Sequence, residues 1–144
     1  MSNKSWDNIS SATKSVWAGE EENFVEGAAQ VPIVNSVSYS YDDLDEWFDV
    51  ATGKRKGHIY SRNTNPTVTV FEEKMRILED AEAATSFATG MAAISNILFS
   101  LLSPGQRVVS VKDTYGGTSV VFLDHLPRFN INVTMCETHD QDAI

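Results

Sequence analysis

Between Ala84 and Met135 the sequence passes repeatedly from β-branched runs to apolar runs of helical period, with only a few turn residues at each change. Ala84-Thr85-Ser86-Phe87-Ala88 reads as a short strand, Thr89-Gly90 as a turn, and the apolar stretch to Leu102 as a helix stopped by Ser103-Pro104-Gly105. Arg107-Val108-Val109-Ser110-Val111 reads as a second strand, Gly116 to Leu126 as a helix, and Asn130 to Met135 as a third strand. Strands joined through helices rather than tight hairpins lie parallel, so the alternation predicts an α/β fold built on βαβ units with a mainly parallel sheet.

The first part of the chain follows other rules. Residues 1–40 mix Ser, Asn and acids with isolated apolar positions, and read as an extended arm with one short helix from Thr13 to Ala18, stopped by Gly19. Tyr41 to Ala51 is helix-like: Asp42 or Asp43 can cap it, and Leu44, Trp47, Phe48 and Ala51 recur at helical spacing before Gly53. A basic loop, Lys54-Arg55-Lys56-Gly57-His58, leads into Tyr60-Ser61-Arg62-Asn63-Thr64-Asn65-Pro66-Thr67. Asn65 then Pro66 reads as a cap and a first-turn proline, with Val70, Phe71, Met75 and Leu78 forming one stripe of a helix from Pro66 to Glu79. After the last strand, residues 138–144 have the acids and cap of a helix start without its body. Three short strands make an incomplete sheet, so the expectation is a piece of something longer; a complete small domain with a frayed tail is the alternative. There is no internal repeat and no low-complexity segment.

Composition narrows the partners. A chain of 144 residues with 42% hydrophobic residues should bury one core, and a formal net charge of −9 argues against general binding to nucleic acid or anionic lipid. The acidity is concentrated in residues 1–50, where Glu20-Glu21-Glu22 is most simply a solvated face. One cysteine, Cys136, allows no internal disulfide and fits a reducing cytoplasm, and Met1 to Asp7 lack the apolar core of a signal peptide. The longest apolar stretch, Met91 to Leu102, is too short to span a bilayer.

A few positions can carry chemistry. Gly90 and Met91, at a strand-to-helix turn, can offer backbone N–H groups and the positive end of a helix dipole to a phosphate; a plain turn is the alternative. Arg62 with Tyr60 can clamp a phosphate, or belong to a solvated loop. Tyr115, at the C-terminal end of a strand, stands where parallel sheets bind ligands and can stack on a flat heteroaromatic ring or move a proton; the alternative is a turn tyrosine. Cys136 and His139 do not complete a metal site, and His58 and His125 read as surface or cap residues.

Three segments, Tyr60 to Thr67, Ala88-Thr89-Gly90-Met91-Ala92-Ala93 and Asp113-Thr114-Tyr115-Gly116-Gly117-Thr118, resemble in order and spacing three successive motifs of the Cys/Met-metabolism family of pyridoxal-phosphate enzymes. The resemblance implies a type I aminotransferase-like fold: residues 1–65 an N-terminal arm and cofactor-clamping loop, residues 66–144 the first part of the α/β domain that binds pyridoxal 5'-phosphate. It implies that Tyr60 and Arg62 bind the cofactor phosphate of a neighbouring subunit, that the Gly90 and Met91 N–H groups bind it within their own subunit, and that Tyr115 stacks on the pyridine ring and serves catalysis. It also implies a homo-oligomer, a tetramer, sharing its sites between subunits and acting on an amino-acid substrate. The family's cofactor-anchoring lysine lies beyond the point where this chain ends, and Lys112, three residues before Tyr115, does not match it; the chain alone is expected to be inactive. Within the family, Tyr115-Gly116-Gly117-Thr118 and the long Asp42–Lys56 insertion resemble the sulfhydrylase branch, which replaces a γ-substituent of O-acetylhomoserine by sulfide or a thiol. Cystathionine γ-synthase or methionine γ-lyase activity, or a non-catalytic remnant that binds a phosphorylated ligand or a full-length partner, are the alternatives.

Overall fold

The structure, a computed structural model, describes residues 6–20 and 27–144, and Glu21 and Glu22 of the acidic run lie outside the described residues. Two compact units divide the chain, residues 1–86 and 87–144.

Among the described residues the first unit holds three helices, α1 (Ser11–Trp17), α2 (Leu44–Ala51) and α3 (Pro66–Leu78). Ser10 caps α1, its hydroxyl accepting from the Thr13 N–H at 3.2 Å. The helix ends into Gly19, whose φ of +77° strains any side-chain-bearing residue, and a Cβ there would lie 2.9 Å from Cβ of Glu73 on α3. Gly19 therefore permits both the turn and the close approach that buries Ala18 completely. From α3, Lys74 Nζ donates to the Val16 carbonyl at 2.5 Å and pairs with Glu20 at 2.5 Å, satisfying the carbonyl end of α1. Asp43 caps α2, which starts three residues later than the periodicity predicts; Tyr41 instead sends its hydroxyl to the His58 carbonyl at 2.9 Å.

Asn65 does more than cap α3. Its Oδ1 accepts from the N–H groups of Thr67 (2.9 Å) and Val68 (3.4 Å), while Nδ2 donates to the Val34 carbonyl (2.8 Å) and the Tyr39 hydroxyl (3.2 Å). Thr67 Oγ1 donates to the Pro32 carbonyl and accepts from the Val34 N–H. An antiparallel bridge between Ser38 and Tyr60 continues the fastening, with Tyr39 N–H donating to Ile59 O and Ser61 N–H to Val37 O. The extended arm from Pro32 to Tyr39 is thus tied to the loop that precedes α3.

The second unit holds α4 (Gly90–Leu101), β1 (Arg107–Val111), α5 (Gly116–Val120) and β2 (Asn132–Cys136). The two strands are parallel, in register from Arg107 opposite Asn132 to Val111 opposite Cys136. Between α5 and β2 the chain makes a π-helical turn over Val121–His125 and a 3₁₀ turn over Leu126–Phe129. Leu126 N–H reaches back to the Val121 carbonyl, and Pro127, with no N–H, ends the regular ladder. Phe122, Leu126 and Ile131 form the buried cluster, packed by Leu98, Leu102, Val108, Val121, Val133 and Met135. Along α4 no residue is fully buried, and Ile97, Phe99 and Leu101 stand substantially exposed.

Three expectations are corrected. Residues 84–88 form no strand: Ser86 gives its N–H and its hydroxyl to Glu72 Oε1 at 2.7 and 2.9 Å, so its donors go to a side chain on α3 rather than to a ladder. The helix after Tyr115 is α-helical only to Val120, for the reason Pro127 supplies. The last strand starts at Asn132, because Asn130 sits at φ +57° and Ile131 N–H still bonds Leu126 O. Among the described residues no helix is long and apolar enough to cross a membrane.

Two outcomes follow for stability. Asn65→Ala should cost about 0.5–2 kcal/mol from the lost cap alone, and more once Val34 O loses its donor; Asn65→Asp keeps the cap and should lose only the arm contacts, the difference being read by urea unfolding. The carboxyl of Glu73 is held below its ordinary value of 4.5, first by the hydrogen bond from Arg76 and then by its charge and that of Lys56, with burial opposing. Because the native value is the lower one, this contribution is complete above the ordinary value and fades as pH falls through the depressed one. Glu73→Gln should flatten the acid limb of the stability profile in that window, measured by unfolding from neutral to acidic pH.

Candidate functional site

In the first unit, the segment from Tyr60 to Thr64 is a tight turn in which the N–H groups of Asn63 (2.9 Å) and Thr64 (3.2 Å) both point to the Tyr60 carbonyl. Its apex carries Arg62, whose guanidinium lies over the Tyr60 ring 4.6 Å from the centroid. Among the described residues Arg62 makes no ion pair and neither it nor the Tyr60 hydroxyl makes a hydrogen bond, so both polar ends are available. The neck of the turn is closed by His58 Nδ1 and Thr64 Oγ1 at 2.9 Å, with the His58 ring tilted against Tyr39, centroids 5.4 Å apart. His58 is partly buried, and burial lowers its pKa from 6.5. It is therefore a built-in member of the loop rather than the surface or cap residue the sequence alone leads one to expect.

In the second unit, Thr89 caps α4 through its hydroxyl, which accepts from the Ala92 N–H at 3.1 Å, and its carbonyl takes the Ala93 N–H. The Gly90 and Met91 N–H groups are left without an acceptor among the described residues, and a Cβ on Gly90 would meet nothing within 4 Å. No acid stands in the first turn of α4, so nothing in its own sequence neutralises the positive end of the helix.

Tyr115 directly precedes α5 and is 73% exposed. A Cβ built on Gly117 would lie 2.9 Å from Tyr115 Cε1 and 3.2 Å from Met91 Sδ. The ring of Tyr115 and the thioether of Met91 thus both lie close over the bare backbone of Gly117, which brings the Tyr115 ring near the start of α4. Thr118, the one buried polar residue among the described residues, donates its hydroxyl to Met91 Sδ at 3.7 Å, and Thr114 and Ser119 share a hydrogen bond of 2.7 Å across the same turn. Within this unit the structure gathers Gly90, Met91 and Tyr115 as the sequence reading grouped them. Gly117 and Thr118 stood only inside the motif and His58 apart from it; their one signal was position beside the chemistry.

Lys112 is committed elsewhere. It is exposed and pairs with Glu137 at the strand ends, a hydrogen bond that raises its pKa and keeps it protonated. Cys136 is buried, its thiol donating to the Ala143 carbonyl at 3.1 Å, and among the described residues no cluster of His, Cys, Asp or Glu gathers for a metal.

Each unit offers its own groups. In the second, two N–H groups without an acceptor at an uncompensated helix N-terminus can bind a phosphate, and the exposed Tyr115 ring beside them is a surface for a flat heterocycle, so its residues fit a phosphorylated pyridine. In the first, a free guanidinium and a free phenol on one turn can bind an anion.

Comparison with known proteins bears on the same point. The model of the Cys/Met metabolism PLP-dependent enzymes matches residues 12–144. An L-methionine gamma-lyase of Treponema denticola is 33% identical over 145 aligned positions, covering 100% of this chain and 36% of that protein. An O-acetyl-L-homoserine sulfhydrylase of Corynebacterium glutamicum is 33% identical over 128 positions, covering 89% of this chain and 29% of its own. Among solved structures, a putative O-acetylhomoserine (thiol)-lyase of Campylobacter jejuni, determined with a pyridoxyl-lysine monophosphate, superposes with a TM-score of 0.86 at 28% identity, over 94% of this chain and 33% of that one. The chain spans about a third of the length of the curated relatives it matches. With the family model covering all but its first residues and relatives matching across nearly its whole length, the chain belongs to the Cys/Met metabolism family of pyridoxal-phosphate-dependent enzymes.

Proposed function

We propose that this chain supplies the phosphate-binding and ring-stacking part of an enzyme that acts on the γ-substituent of a sulfur-metabolism amino acid, first as a sulfhydrylase that replaces the acetoxy group of O-acetylhomoserine by sulfide or a thiol. The observation that carries the reading is the pairing of two unspent N–H groups at the start of α4 with the exposed Tyr115 ring beside them. Pyridoxal phosphate, when bound, withdraws electrons from the amino-acid α-carbon and so lets the γ-substituent leave. Gly90 and Met91 N–H hold the phosphate, Tyr115 lays its ring on the pyridine, and the Tyr115 hydroxyl holds or moves a proton near the substrate. Tyr60 and Arg62 add a phenol and a bidentate cation to the phosphate of a neighbouring copy, so the working form is a homo-oligomer. A γ-elimination from methionine is the second reading, favoured by the similarity to the Treponema denticola enzyme along the whole chain. Assay of the whole protein separates the two: homocysteine formed only from O-acetylhomoserine plus sulfide supports replacement, whereas release of methanethiol and ammonia from methionine alone supports elimination. Neither product under either condition overturns both readings.

Arg62→Ala in the whole protein should weaken cofactor binding by roughly 1.5–3 kcal/mol, the worth of a charge-assisted hydrogen bond, read by titrating the cofactor-free form. Mixing Arg62→Ala with Tyr115→Ala should restore activity in hybrid oligomers, because each hybrid can contain one intact site; no recovery in verified hybrids rejects the shared site.

Tyr115→Phe should keep stacking, worth about 0.5–1.5 kcal/mol, and lower turnover more than affinity, while Tyr115→Ala lowers both. Gly117→Ala should resemble a mild Tyr115→Ala in cofactor titration, since the new methyl group displaces the ring, with little change in the unfolding midpoint. Equal behaviour of the Phe and Ala variants would show that the phenol has no separate role.

A further inference from the structure

We propose that His58 and Thr64 are positioning residues for the phosphate clamp: their side-chain hydrogen bond closes the neck of the Tyr60–Thr64 turn and so presents the Arg62 guanidinium and Tyr60 phenol as one preformed unit. The inference rests on the phosphate role given to Tyr60 and Arg62 above.

Arg62, Asn63 and Thr64 are all exposed, so apolar burial does not hold the turn in shape. Two backbone hydrogen bonds onto the Tyr60 carbonyl shape its inside, and the contact between His58 Nδ1 and Thr64 Oγ1, 2.9 Å across six residues, joins its entry to its exit. His58 is itself fixed from two sides. Tyr41 donates its hydroxyl to the His58 carbonyl at 2.9 Å, and the Tyr39 ring packs against the imidazole. Tyr39 in turn accepts from Asn65 Nδ2 at 3.2 Å, so the bond that closes the neck is braced by the residue that caps α3. Burial lowers the His58 pKa from 6.5 and so favours the neutral ring, and because the Thr64 hydroxyl can donate or accept, either tautomer of that ring can make the bond. A loop already closed loses less freedom when an anion binds, and the difference appears as affinity. Neither His58 nor Thr64 needs to touch the phosphate for this to hold.

The test uses the cofactor-free whole protein titrated with pyridoxal phosphate, with unfolding midpoints recorded for every variant. Thr64→Val and His58→Ala should each raise the dissociation constant about three- to ten-fold, the worth of one net hydrogen bond, and the double variant should be no weaker than the weaker single. Thr64→Ser and His58→Asn, which keep a hydroxyl and a group near the Nδ1 position, should restore most of the affinity. Thr64 is exposed, so Thr64→Val should leave the midpoint unchanged and carries the test if His58→Ala does not fold. Unchanged affinity in Thr64→Val, losses that multiply in the double variant, or failure of Thr64→Ser to rescue would each overturn the proposal. Arg62→Ala in the same titration keeps the two readings apart. Weakening there with none in Thr64→Val removes only the positioning role, whereas no weakening in Arg62→Ala removes the phosphate reading and this inference with it.

Discussion

The side-chain amide of Asn65 is the joint of the first unit. One face of it satisfies the orphan N–H groups of α3 and the other holds the arm through the Val34 carbonyl and the Tyr39 hydroxyl. A carboxylate can do the first and not the second, and an alanine neither, so the position demands a group that accepts and donates at once. Pro66 then starts the helix without wasting a donor, and Thr67 adds the contacts to Pro32 and Val34. The turn that carries Tyr60 and Arg62 is therefore set by the helix start that follows it and by the arm laid alongside.

The second unit answers a different constraint. Phosphate binding at a helix start needs N–H groups that nothing else takes, and Thr89 takes one while leaving those of Gly90 and Met91. Glycine at 90 keeps the approach open; glycine at 117 lets a ring and a thioether meet over the backbone. Two glycines thus differ: the space above Gly90 is open, while that above Gly117 is filled by neighbouring side chains.

Much of this was legible in the sequence. The helix start at Asn65 follows from cap chemistry and the one after Thr89-Gly90 from a turn before an apolar run, and β1 and the parallel pairing follow from β-branched runs separated by a helical connection. Local rules failed where a distant group competed. Residues 84–88 look like a strand until Glu72 claims the donors of Ser86, and Asn130 looks like strand until the chain's exit from the Pro127 turn forces it to positive φ. His58 was illegible for the same reason: its partner Thr64 is close in sequence, but the burial that makes the bond matter comes from Tyr39 and Tyr41 on the arm.

The π-helical turn from Val121 to His125 gives the β1–β2 connection a spare residue. A five-residue hydrogen-bonded ring can shed one residue and revert to an ordinary α-helical turn, leaving the helix faces before and after it in their former phase. The same loss within β1 or β2 would send every later side chain of that strand to the opposite face of the sheet and unseat Val108 or Val133 from the cluster around Leu126. Length variation is thus cheap in one short stretch of this crossover and ruinous within the strands that it joins.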